Sequence, residues 1–421
     1  MLNMICKRMN TSYVYASMEF NKIVFSFAKQ KPFHLKKIMV LLVLTGLAIC
    51  LLMCTNEYTR KEDARGIQYA GASSCVKCHK NITAAYLNSN HFHTSSEVDF
   101  EKFKQLITTI NDTVHFPNGQ LVKLEALHNK LFQTYMSNGQ QINSAAMDIA
   151  FGSGEKAFTF GYWKEGGLYQ LPLTYLTELK RWTNSPGFTP NQPNYTRQII
   201  SRCMECHSSY AYAEQSLEQG VHYMEKLNAA TIIYGIDCER CHGPAAQHVA
   251  FHTDSPLVKT AKYILSIKSL SRQQQIDLCA TCHSGDPAKL QSIFAFKPGD
   301  TLSNYYMYYP GAINPDAHGM QMQSLEQSKC FLQSTLTCTT CHDVHTSERN
   351  KESVFVQRCM SCHQQSNHAV TMQQANNYCA NCHMPQQASK SLDFGNSTEL
   401  KDIKYRLRTH RIAIYPTMST N

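Results

Sequence analysis

Charged residues are scarce in this chain: Asp, Glu, Lys and Arg make up 17% of its 421 residues, and mean hydropathy is −0.36. The formal net charge of +9 does not amount to a nucleic-acid-binding face. Seven Lys and Arg stand against Glu19 alone in residues 1–37, which leaves the remainder at only +3. A run of twenty apolar residues is also missing. The longest, IMVLLVLTGLAICLLMC (Ile38–Cys54), has 17 residues and just reaches the lower limit for a spanning helix. It follows Lys36 and Lys37, the layout of an export segment. The residues before Cys50 and Cys54, LAI and LLM, lack the small residue that a lipoprotein cleavage site favours. Uncleaved anchor, lipoprotein and cleaved signal all stay open, and each exports the chain. Met18 is a candidate start.

Cysteine is plentiful, and it is patterned. Cys-x-x-Cys-His occurs seven times. The motifs are Cys75, Cys78, His79; Cys203, Cys206, His207; Cys238, Cys241, His242; and Cys279, Cys282, His283. Three more follow: Cys338, Cys341, His342; Cys359, Cys362, His363; and Cys379, Cys382, His383. Together they use 14 of the 18 cysteines, far beyond chance. On a helical turn, positions i, i+3 and i+4 share one face. Two thiols can then form thioethers to one porphyrin edge while the adjacent imidazole ligates the iron. Zinc fits poorly: tetrahedral sites need motifs in pairs, seven is odd, and zinc gives no reason for a histidine at every fifth position. The motifs predict seven covalent haems c.

Seven such apolar plates would replace side chains as core. The expected fold is mainly α, a loop-rich multihaem cytochrome fold organised around covalent haems, with a small inserted antiparallel β segment. Residues 1–54 form the basic leader and apolar export or anchor segment, 55–68 a polar tether, and 69–421 the haem-binding domain. Turn signals near Asn118 and Asn138, at GSG and at EGG, place the β insert at about 110–180. Its aromatic residues, Phe158 to Trp182, read as core. The haem propionates would add up to about −14 of charge. The short spacing of the last three motifs forces their haems close together.

The stretch GSGEKAFTFGYWKEGGLYQLPLTYLTELKRWTNSPGF (Gly152–Phe188) resembles multihaem cytochromes related to the cytochrome c-552/c-554 family. So do RCMECHSSY, GIDCERCHGPAAQHV, HGMQMQSLEQSKCF and LTCTTCHDVH, and the resemblance covers about residues 68–421. It implies a periplasmic or surface electron-transfer protein, with haems packed in parallel and perpendicular pairs and mostly two histidine ligands. Four-haem members serve hydroxylamine oxidation; with seven motifs here, that partner does not carry over.

The resemblance favours His91, His248, His318, His345 and His410 as distal ligands, with His368 as a sixth. His248 cannot easily reach over the ring of nearby His242, so it is expected to serve another haem. His93, His115, His128, His222 and His252 read as surface or internally satisfied histidines. Met320, Met322 and Met384 read as packing, and Cys330 as a buried thiol. The leading expectation is an electron carrier or conduit in a bacterial respiratory chain. Its partners would be redox proteins: other cytochromes, quinol-linked complexes or a terminal reductase. It would be exported, periplasmic or in the cell envelope, and membrane-associated through its N-terminal segment. The competing reading is a multihaem oxidoreductase acting on small nitrogen or sulfur compounds at an open-coordination haem. No Cys-x-x-Cys-Lys motif is present, which removes one sign of such a site. A structural haem subunit is the third reading.

Overall fold

The computed structural model describes residues 39–40, 42–43, 45, 62–107, 112–218, 222–307, 315–348, 350–363, 378–393 and 404–415. Two compact units divide the chain, Met1–Glu62 and Asp63–Asn421. In the first, Met39, Val40, Leu42, Val43 and Thr45 are helical and exposed. No helix among the described residues is long and apolar enough to cross a membrane. The expected export segment therefore lies mostly outside the described residues.

In the second unit, the helical turns Ala72–Lys77 and Lys80–Tyr86 are followed by a large antiparallel part. Strands β1 (Ser95–Glu97), β2 (Thr113–Phe116), β3 (Gln120–Leu127), β4 (Lys130–Ser137) and β5 (Gln140–Ala146) are followed by β6 (Ile149–Phe151) and β7 (Ala157–Lys164). Then come β8 (Gly167–Leu176), β9 (Arg181–Asn184) and β10 (Gln198–Ile199). One sheet is a four-stranded meander, β2-β3-β4-β5. The other has the order β1-β6-β7-β8-β10, with β9 also paired to β8. Tight turns set the register. Leu127 pairs with Lys130 across His128 and Asn129, at φ 50° and 57°. Positive φ at both central positions is what a two-residue type I′ turn requires. His128 is thus a turn residue.

Alternate strand positions of both sheets face a common core. It contains Val122, Leu124 and Leu131 from one sheet and Phe160, Leu171, Leu173 and Trp182 from the other. Phe158, Tyr162, Tyr169 and Tyr175 pack in or against this core. Buried Gln133 bridges the layers: its Nε2 donates to the Leu173 carbonyl at 3.0 Å, and its Oε1 accepts from the Leu173 N–H at 2.8 Å. A second core surrounds the helix Arg272–His283, with Ile276, Ile293, Tyr306, Met322 and Phe331 buried together.

The mainly-α expectation is wrong. Eighteen strands lie among the described residues of Asp63–Asn421, against eleven α-helices there, of which the longest has 12 residues. Antiparallel strands span Ser95 to Ile199, and further hairpins form at Ala213–Glu218 with His222–Leu227 and at Gln386–Asp393 with Lys404–Arg408. The physical reason is that a haem-attachment motif needs only one turn. The helices Cys238–His242, Cys338–Cys341 and Ala380–His383 are four or five residues long. The remaining chain is free to pair as strands.

Candidate functional site

Each attachment motif is built by a local hydrogen bond. The His79 N–H donates to the Cys75 carbonyl at 2.9 Å, and His342, His363 and His383 donate likewise to Cys338, Cys359 and Cys379 at 3.0 Å. This i+4 bond puts both thiols and the imidazole on one face. Side-chain caps start the turns. Asp237 accepts from the Arg240 N–H, Ser271 and Gln274 form a capping box, and so do Thr337 and Thr340.

The fold then brings histidines together in twos. His248 lies opposite His79, with ring centroids 6.4 Å apart and planes at 17°. His345 lies opposite His242 at 6.0 Å and 18°, and His410 opposite His342 at 6.2 Å and 29°. His91 lies opposite His283 at 6.2 Å with the planes crossed at 83°. His318 lies within electrostatic reach of His207. His368 lies outside the described residues. His363 is exposed, and His383 Nδ1 is 3.0 Å from the Ala413 carbonyl.

That spacing tests whether haem iron fits between the rings. Two metal–nitrogen bonds of about 2 Å, plus about 1 Å from each nitrogen to its ring centre, put the centroids about 6 Å apart. All four measured pairs agree. Among the described residues, no group of three or more His, Cys, Asp or Glu converges as a tetrahedral zinc site would need. Six of the imidazoles are also in the right state. Burial pushes His91 and His410 down to about 4, and it lowers His207, His242, His318 and His342 as well. Each is therefore neutral at pH 7, with a lone pair to give to a metal.

Outer contacts orient the rings. His248 Nδ1 is 2.8 Å from the Lys262 carbonyl, and His283 Nδ1 is 3.2 Å from Gln321 Oε1. His318 Nδ1 is 3.3 Å from Ser391 Oγ; the Ser391 N–H donates to Asp316, as does the His318 N–H. Several supporting residues escaped the sequence reading. Arg65 donates to Asp63, Asp237 and Glu239, all buried. Glu239, inside the third motif, also accepts from the N–H groups of Ala70, Gly71 and Ala245. This network ties the segment before the first motif to the third. Burial opposes the Arg65 charge, but the hydrogen bonds to Asp63 and Asp237 outweigh it and hold the guanidinium firmly protonated. Glu205, inside the second motif, is fully buried and takes Ser292, Lys289, Arg202 and the Ile293 N–H. The sequence signal was present: a carboxylate within Cys-x-x-Cys has no role in haem attachment, so it needs another one. His252 packs against His248 at 4.7 Å. Cys330 is half-buried and near Cys341 and Cys359.

The family described as cytochrome c554 and c-prime matches residues 180–243, which contain the second and third motifs. The multihaem cytochrome MtrA of Shewanella baltica (strain OS185) is 24% identical over 192 residues, 40% of this chain and 54% of that protein. The chain thus spans about half the length of this curated relative. No solved structure matches. With the attachment motifs and the paired imidazoles already in place, these likenesses support a multihaem c-type cytochrome with covalent haem c.

Proposed function

We propose that the chain carries seven covalent haems and moves electrons between redox proteins of a bacterial respiratory chain, outside the cytoplasm. The observation that carries this reading is the set of four imidazole pairs at 6.0–6.4 Å. Irons held by His79 and His248, His242 and His345, His283 and His91, and His342 and His410 have no site left for substrate. His318, within electrostatic reach of His207, is the distal ligand proposed for a fifth iron. Bound haem supplies one-electron chemistry; the protein supplies ligation, burial and spacing. Export rests on Ile38–Cys54 behind Lys36 and Lys37, and likeness to a multihaem cytochrome supports it.

Two measurements test the proposal. Intact mass with a pyridine haemochrome assay should count seven haems in matured protein; six or fewer overturns the count. Reduced wild-type protein should leave carbon monoxide unbound at the paired haems, and His248→Ala should create one new binding haem. Wild-type protein that takes up cyanide or nitrite at a full haem equivalent supports the oxidoreductase reading instead.

A further inference from the structure

The turns that carry different motifs pack in a definite order: Ala72–Lys77 on Cys238–His242, Ser201–His207 and Cys338–Cys341 on Arg272–His283, and Cys338–Cys341 on Glu352–Met360. Cys75 and Cys238 lie within hydrogen-bonding reach, joining the first and third motifs. The fourth motif has three neighbours. Its Cys282 is within reach of Cys206 in the second motif, and its Cys279 is within reach of Cys338 in the fifth. Cys241 of the third motif lies within electrostatic range of both Cys279 and Cys282. Beyond the fifth motif, Cys341 lies near Cys359 and Cys362, and Cys359 is within reach of Cys379. Exposure follows the same map. The exposed thiols, Cys78, Cys203, Cys362 and Cys382, belong to the first, second, sixth and seventh motifs; those of the third, fourth and fifth are half-buried.

The fourth motif also differs in ring geometry. Its imidazoles cross at 83°, whereas the other measured pairs lie at 17°, 18° and 29°. Separate elements impose the crossing. His283 ends the helix Arg272–His283 and meets Gln321, while His91 is held by its carbonyl, which accepts from the Ile236 N–H. Imidazole donates π electrons perpendicular to its plane. Parallel rings raise one iron dπ orbital above the other, whereas crossed rings leave the two nearly equal in energy.

We infer that the haem sites form a three-armed network whose junction is the site at Cys279, Cys282 and His283, and that the crossed rings of His91 and His283 make this iron electronically unlike its near-parallel neighbours. The arms run through the third motif to the first, to the second, and through the fifth to the sixth and seventh. The inference rests on the two-histidine reading above. An electron entering at any exposed end crosses the junction to reach another arm.

Low-temperature electron paramagnetic resonance of the oxidised holoprotein tests the crossing. The wild-type minus His91→Met difference should contain one strongly anisotropic low-spin signal with a single large g value. Loss of an ordinary rhombic signal overturns the inference and leaves the two-histidine reading standing; a wild-type spectrum dominated by high-spin iron overturns that reading itself. Flash photoreduction with less than one electron per molecule tests the junction. Removing its haem with Cys279→Ala and Cys282→Ala should split electron redistribution into a fast phase within arms and a phase at least tenfold slower between them. Removing the terminal haem with Cys379→Ala and Cys382→Ala should leave a single fast phase. Unchanged redistribution without the junction haem overturns the network.

Discussion

Gly235 shows how one residue positions a distant ligand. Its φ is +65°, and a Cβ there would sit 2.0 Å from the Phe92 carbonyl oxygen. Only glycine lets the His91–His93 segment pass this close to the third motif. Gly235→Ala should destabilise the protein by about 1–3 kcal/mol in thermal unfolding and disturb the haem facing His91. An unchanged melting temperature contradicts that account. Arg65 makes a similar point through charge. Arg65→Ala leaves Asp237 and Glu239 buried without their cation, and breaking such a pair costs about 3–5 kcal/mol. Denaturant unfolding should show that loss, with Arg65→Lys losing less. At this scale the sequence was legible where chemistry is covalent: two thiols and an imidazole at fixed spacing permit few readings. It was illegible where partners are far apart in the chain. Nothing local to His79 names His248, and nothing local to Arg65 names Asp237.

At the scale of elements, turns were readable and strand pairing was not. Asn118, Asn138 and the glycines of GSG and EGG marked real reversals, and Asn138–Gly139 sits at φ 49° and 79° between β4 and β5. Strands in polar stretches were missed. Ala213–Glu218 and His222–Leu227 carry Glu, Gln, His and Lys, so they show no apolar alternation to give them away. The helical expectation took the haems as the core, whereas each attachment motif needs only a single helical turn. The two large sheets depend on Gln133, which satisfies the Leu173 backbone inside the shared core. Gln133→Leu should lower unfolding free energy by about 2 kcal/mol while the haem count stays the same. If haem incorporation falls as well, the β part and the haem part do not mature independently.

Across the unit Asp63–Asn421, strands and small cores hold the short attachment turns near one another, and histidines from remote segments face four of the motif histidines. The pairing of His79 with His248, His242 with His345, His283 with His91 and His342 with His410 is the central claim. On the function proposed above, irons held between these pairs are saturated, which favours electron transfer over catalysis. Near-infrared magnetic circular dichroism of the fully oxidised protein tests the claim most directly, since its charge-transfer bands separate two-histidine irons from histidine–methionine and high-spin ones. The pairs described here predict that at least four haems per molecule show the two-histidine band, with one such band lost in His345→Ala. Fewer than four, or a spectrum dominated by histidine–methionine or high-spin iron, would contradict it.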